Sequence, residues 1–179
     1  VTGPLPNRIA LIGRARSGKD SVAGRLVSEH GYTRVAFADK LKEAVLALDP
    51  LIFGTVHLAE MVELNGWEAA KSHPEVRRVL QHYGQAIREI SPKFWINAAF
   101  PAMLGKTRIV VSDVRYRNEA DALRAAGFTL VRITRPGMPL GVGADHVSEN
   151  ELATYPTSLN IVNGASLTDL YARADKLAA

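Results

Sequence analysis

The sequence predicts an α/β fold in which a mostly parallel five-stranded sheet carries helices on both faces. Strand-like and helical segments alternate along the chain, which points to a parallel sheet. The strand-like runs are short and continuously apolar, as burial on both faces requires. Gly, Pro and Asn punctuate the changes of period. Arg8 to Gly13 reads as the first strand, and a helix follows from about Gly18 to His30, stopped by Gly31. Val35-Ala36-Phe37 is a short strand, with a helix from about Asp39. Pro50 and Gly54 break the chain, and residues 55–90 look helical. Ser91-Pro92 opens a further helix to about Leu104, with a kink at Pro101. Ile109 to Val111 is a strand, Tyr116 to Ala126 a helix ending at Gly127, and Phe128 to Thr134 a strand. Leu159 to Val162 is the last strand; Asn163-Gly164 then turns into a helix opened by Ser166 and Asp169, a capping-box-like start.

The chain has 179 residues, 47% hydrophobic and 22% charged, which suits one domain with a sizeable core. It has no cysteine, excluding disulfide frameworks, thiolate zinc sites and cysteine nucleophiles. No apolar run approaches the roughly 18 residues of a membrane helix, so no membrane partner is expected. Val1 to Pro6 lacks a charged-then-apolar signal pattern, and a cytoplasmic location is the expectation. The net charge of +4 suits either a nucleic acid or a polyphosphate pocket, and its distribution decides between them.

In parallel sheets ligands bind beyond the carboxyl ends of the strands. At the first end, Gly13-Arg14-Ala15-Arg16-Ser17-Gly18-Lys19-Asp20 has the spacing GxxxxGK between a strand and a helix. That is the context of a phosphate-binding P-loop. Its glycines allow tight turns that turn successive N–H groups onto one anion, the helix N-terminus adds positive potential, and Lys19 supplies a point charge. Asp20 stands where the common loop has a Ser or Thr for Mg²⁺, and Ser21 follows as a displaced substitute.

At the second end, an apolar strand runs into Ser112-Asp113-Val114-Arg115-Tyr116-Arg117-Asn118-Glu119. Asp113 reads either as a metal-organising carboxylate or as a helix cap, with Arg115 and Glu119 as an i,i+4 pair. At the third, Arg135 opens a Gly/Pro-rich stretch to about Asn150 that suits a loop over a site. That stretch includes His146, for which a metal role is not expected. On the 74–90 helix, Val76, Val79, Leu80, Tyr83, Ile87 and Ile90 form an apolar stripe. Arg77, Gln81, Gly84 and Arg88 share a second face, suited to a nucleotide or simply a solvated flank.

The run from Ile12 to Asp20, with Phe37-Ala38-Asp39-Lys40-Leu41-Lys42, Gly84 to Glu89, Trp95, Ser112 to Glu119 and Asp145 to Glu149, resembles the bacteriophage deoxynucleoside monophosphate kinases. The GKD ending is the more diagnostic part, and animal phosphomevalonate kinases share a similar loop. The resemblance implies an adenylate-kinase-like P-loop NTPase fold, with ATP, Mg²⁺ and a deoxynucleoside monophosphate as reactants. It assigns Arg14 to Lys19 to donor phosphates, Asp20 to metal or catalysis, and Asp39, Lys42, Arg88, Trp95 and Glu119 to the acceptor side.

The expectation is therefore a single P-loop kinase domain. Its core is 7–48 and 106–179, its helical acceptor insertion about 49–105 and its lid about 136–150. ATP binds on Gly13, Arg14, Ala15, Arg16, Ser17, Gly18, Lys19, Asp20 and Ser21. Lys19, Asp20, Arg16, Arg115 and Arg135 carry the chemistry, and Asp20 and Asp113 organise the metal. The acceptor meets Asp39, Lys42, Gln81, Arg88, Trp95, Asp113, Arg117 and Glu119. The basic residues Arg14, Arg16, Lys19, Arg115, Arg117 and Arg135 at the strand ends account for the charge without a stable nucleic-acid partner. A homodimer stays open. The competing readings are a kinase of another phosphorylated acceptor, such as phosphomevalonate, and a basic nucleic-acid-binding module without turnover.

Overall fold

The computed structural model describes residues 6–137 and 151–178. In chain order the elements are β1 (Arg8–Ile12), α1 (Lys19–His30), β2 (Thr33–Val35), α2 (Phe37–Leu48), β3 (Leu51–Ile52), β4 (Val56–His57), α3 (Leu58–Ser72) and α4 (Pro74–Ile90). There follow α5 (Phe94–Ala99), a 3-10 turn (Phe100–Met103), β5 (Ile109–Val114), α6 (Arg117–Ala125), β6 (Thr129–Thr134), β7 (Leu159–Val162) and α7 (Leu167–Asp175). The chain falls into two compact units, residues 1–36 with 99–179 and residues 37–98.

The first unit holds the sheet, in the order β2-β5-β1-β6-β7. Every pairing is parallel. Central β1 is apolar throughout Ile9–Ile12 and at most 1% exposed. On one face Ile9, Leu11, Val110, Val131, Ile133 and Ile161 pack with Val22 and Leu26 of α1 and Leu170 and Ala174 of α7. Gly31 ends α1 in the left-handed conformation at φ 67°, as the sequence predicts. Ser166 and Asp169 form the predicted capping box on α7: the Ser166 hydroxyl accepts from the Asp169 amide at 3.1 Å.

An ion cluster ties the ends of these two helices. The Arg25 guanidinium donates to both Asp175 oxygens at 2.8 and 3.0 Å, and His30 Nε2 lies 2.9 Å from Oδ1. Arg25 first, and His30 second, hold the Asp175 carboxyl down at about 2. The unfolded value is about 3.9. Asp175 therefore stabilises the fold above about pH 4, and that contribution fades as pH falls toward about 2. Asp175→Asn should lower the melting temperature at pH 7, and the deficit should shrink in melts recorded from pH 4 down to pH 2.

The second unit is helical around a small hairpin. β3 and β4 pair antiparallel. They escape sequence detection because two residues each are too few to show a period. Val45, Ile52, Leu58 and Val76 are its buried core, joined by Leu41, Val79, Leu80 and Tyr83. Ile90 departs from the predicted stripe and is 81% exposed. α3 is interrupted at Gly66, whose φ of 74° is non-helical. Contrary to the expected insertion at 49–105, this unit begins at Phe37 and so takes in α2. The cause is local packing: a Cβ on Gly84 of α4 would stand 3.1 Å from Leu41 Cδ2 of α2, so glycine permits close helix approach.

Three boundaries also shift. The second strand ends at Val35, because Thr33–Val35 is the stretch that pairs with Ile109–Val111. β5 runs on to Val114, longer than the predicted Ile109–Val111. The helix expected at 91–104 begins at Phe94 and gives way at Phe100 to the 3-10 turn, where Pro101 has no N–H for the ladder.

Candidate phosphate-binding site

Residues 13–18 join β1 to α1 at the carboxyl edge of the sheet. A Cβ on Gly13 would lie 2.4 Å from the Ile133 carbonyl oxygen and 2.7 Å from Ser17 Oγ, so only glycine fits. Arg16 holds φ 60°, a left-handed conformation worth roughly 1–3 kcal/mol of strain in a non-glycine residue. Strain of this kind persists where the surroundings impose it.

Lys19 supplies part of that support. It is 6% exposed, and its ammonium donates to Gly13 O at 2.5 Å and Arg14 O at 2.7 Å. The lysine thus folds under the loop and gathers its carbonyls. Arg14, Ala15, Arg16 and Asp20 are exposed, and Gly18 and Ser21 are half-buried. Ser17 is 2% exposed, and its hydroxyl has no hydrogen-bond partner among the described residues.

β5 lies beside β1. Their register runs Ala10↔Val111 and then Ile12↔Val114, so Ser112 and Asp113 together face Leu11 alone. That is a bulge, which re-aims side chains at the strand end. Asp113 is half-buried there, while Ser112 is 1% exposed and its Oγ lacks a hydrogen-bond partner among the described residues. Glu119 is 1% exposed and accepts from the Arg115 amide at 2.9 Å and the Tyr116 amide at 3.1 Å. Its carboxylate holds the turn that carries half-buried Arg115.

Arg117 turns to the segment after residue 150. Its amide donates to Glu151 at 2.7 Å, and its guanidinium reaches Thr154 at 3.4 Å and lies 5.9 Å over Tyr155. Arg135 follows β6 and is exposed. Residues 138–150, which hold most of the expected lid with Asp145 and His146, lie outside the described residues.

In the helical unit Lys42 pairs with Asp39 at 3.5 Å and lies 5.7 Å over the Trp67 ring. Gln81 is exposed and Arg88 half-buried, with its Nη1 screened from solvent. Trp95 differs from the expectation of an acceptor contact. It is 2% exposed, donates Nε1–H to Gly84 O at 3.1 Å, and packs edge-on to Phe94 at 4.9 Å. A ring so enclosed has no face left for a ligand.

Sequence reading passed over Asn163, whose Nδ2 donates to Ser17 O in the loop at 3.0 Å. The pair Asn163-Gly164 reads locally as a turn, and nothing in sequence places it beside residue 17. Among the described residues no group of three or more His, Asp and Glu could hold a metal. Among them, no helix is long and apolar enough to cross a membrane.

The solved structures similar to this chain include a sugar kinase from Janibacter sp. HTCC2649, 17% identical, covering 94% of this chain and 92% of that one, with a TM-score of 0.46. They also include Mycobacterium tuberculosis APS kinase in complex with AMPPNP and APS, 15% identical over 97% of this chain and 98% of that one, TM-score 0.46. A protein of Acanthamoeba polyphaga mimivirus named "Putative deoxynucleotide monophosphate kinase" is 29% identical over 185 residues, covering 92% of each chain. The model of the deoxynucleotide monophosphate kinase family matches residues 54–174. That match takes in the helical unit from residue 54 onward, the Asp113 strand and nearly all of α7, and with it the chain belongs to the deoxynucleotide monophosphate kinases, ATP-dependent enzymes that phosphorylate deoxynucleoside monophosphates.

Proposed function

We propose that residues 13–21 hold the triphosphate of ATP and that the residues of the helical unit receive the deoxynucleoside monophosphate. The observation that carries the donor assignment is Lys19. A nearly buried ammonium gathered under a glycine-bounded loop at a helix N-terminus stands where polyphosphate oxygens would replace its carbonyl partners.

The carboxylates suit a divalent cation that arrives with the nucleotide. Mg²⁺ takes one or two carboxylates together with phosphate oxygens and waters. Exposed Asp20 and half-buried Asp113 fit that donor set, and no three-acid cage is present among the described residues. Held by these carboxylates, Mg²⁺ would supply charge neutralisation at the donor phosphates. Lys19 and Arg16 stabilise negative charge spread over the moving phosphoryl oxygens, and Arg115 and Arg135 add positive potential at the neighbouring strand ends. An acceptor phosphate oxygen forms the new P–O bond as the γ–β bridging bond breaks, leaving its electron pair on ADP. That oxygen is already ionised at neutral pH, so no general base is needed.

On the acceptor side Arg88 forks onto the phosphate, with Lys42, Asp39 and Gln81 around the nucleoside. Trp95 acts there as a positioning residue, since its ring is enclosed and its N–H ties α5 to α4 four residues before Arg88. Glu119 likewise positions Arg115, and Arg117 anchors the segment after residue 150. The strand-end cations serve nucleotides in this reading, and a nucleic-acid partner and a membrane are not expected; the enzyme works in the cytoplasm.

A coupled ADP-release assay across dTMP, dGMP, dCMP, dAMP and phosphomevalonate tests the function, with turnover expected only on nucleotides. The same assay tests Asp20. Asp20→Asn keeps the size of the side chain but loses its charge, and should raise the Mg²⁺ midpoint and slow turnover. An unchanged midpoint would remove Asp20 from the metal.

A further inference from the structure

Asn163 stands at the end of β7, outside every motif that marks the donor loop. We propose that it is a positioning residue for the donor phosphates, acting through the Ser17–Gly18 peptide. This rests on the reading of residues 13–21 as the donor site.

The argument begins with Gly18. Its φ of 106° is open to glycine and closed to other residues, so the loop needs glycine there. The same freedom leaves the preceding peptide plane able to rotate. A rotated plane would turn the Ser17 carbonyl oxygen, instead of the Gly18 N–H, toward an incoming anion.

Asn163 opposes that rotation. Its Nδ2 donates to Ser17 O at 3.0 Å. The N–H of a trans peptide points opposite to its C=O, so this bond aims the Gly18 N–H away from Asn163. Gly18 caps α1, whose first N–H groups have no acceptors within the helix and present themselves to an anion. Asn163 is itself well held: its amide donates to Thr134 O at 2.7 Å, beyond the parallel register Thr134↔Val162. The fit is close. A Cβ on Gly18 would stand 2.7 Å from Asn163 Nδ2 and 3.0 Å from Leu170 Cδ2 of α7. The last strand and last helix thus back the loop from the side that Asn163 occupies.

Calorimetry with ATP and with inorganic tripolyphosphate tests this on Asn163→Ala and the near-isosteric Asn163→Leu, alongside Lys19→Ala. One lost hydrogen bond corresponds to roughly 3- to 10-fold, and both Asn163 variants should bind both probes more weakly by about that factor. The KM for ATP should rise with them, while the acceptor's KM holds. Loss for ATP with tripolyphosphate unchanged would place Asn163 on the base and overturn the inference. Unchanged binding of both probes, or equal rises in both KM values, would overturn it too. Those results leave the donor site standing if Lys19→Ala weakens tripolyphosphate binding; intact binding in Lys19→Ala would overturn both readings.

Discussion

Lys19→Ala is expected to lower kcat by about 10²-fold or more, the scale of a lost electrostatic donor to a developing anion. In the proposed donor site the ammonium would interact more strongly with charge on the transferring phosphoryl than with bound ATP, so the loss should fall on kcat and not only on binding. The structure adds a second effect. Here the side chain is 6% exposed and holds two loop carbonyls. Hydrogen bonds to charged groups are worth about 1.5–3 kcal/mol each, so Lys19→Ala should also melt at a lower temperature. Single-turnover rates measured well below that melting temperature separate the two effects. A rate near the parent's would remove the loop from the chemistry.

Trp95→Ala is expected to cost roughly 3–5 kcal/mol, the range for emptying a buried aromatic site. Typical domains are stable by only about 5–15 kcal/mol, so the variant should lose much of its folded population on warming. Trp95→Phe isolates the polar part. It keeps most of the ring volume but loses the 3.1 Å bond to Gly84 O, at a cost of about 0.5–1.5 kcal/mol, since that carbonyl lies inside α4 and keeps its helical partner. Denaturant melts read both. If Trp95 is a positioning residue, Trp95→Phe should change the acceptor's KM only modestly while stability falls. A large KM change at unaltered stability would return Trp95 to the acceptor site.

Sequence by itself determined the α/β alternation, the parallel sheet, the strand–loop–helix setting of residues 13–20 and the capped start of α7. Each follows from local rules: continuous apolar runs for buried strands, GxxxxGK for the loop, Ser166 with Asp169 for the cap. What it could not reach depends on approach in space. Trp95 reads the same in sequence whether its ring faces a ligand or a core, and only the packing of α5 on Gly84 decides that. Glu119 matches a motif, yet its position relative to the amides of Arg115 and Tyr116 gives it a backbone-holding role. The helical unit starts at Phe37 and not near 49, because the Leu41–Gly84 contact joins segments 43 residues apart. Asn163 is separated from Ser17 by 146 residues, and only the order β2-β5-β1-β6-β7 brings the last strand's turn to the first strand's loop. Periodicity and spacing record which face a residue prefers; the partner on that face is set by tertiary packing.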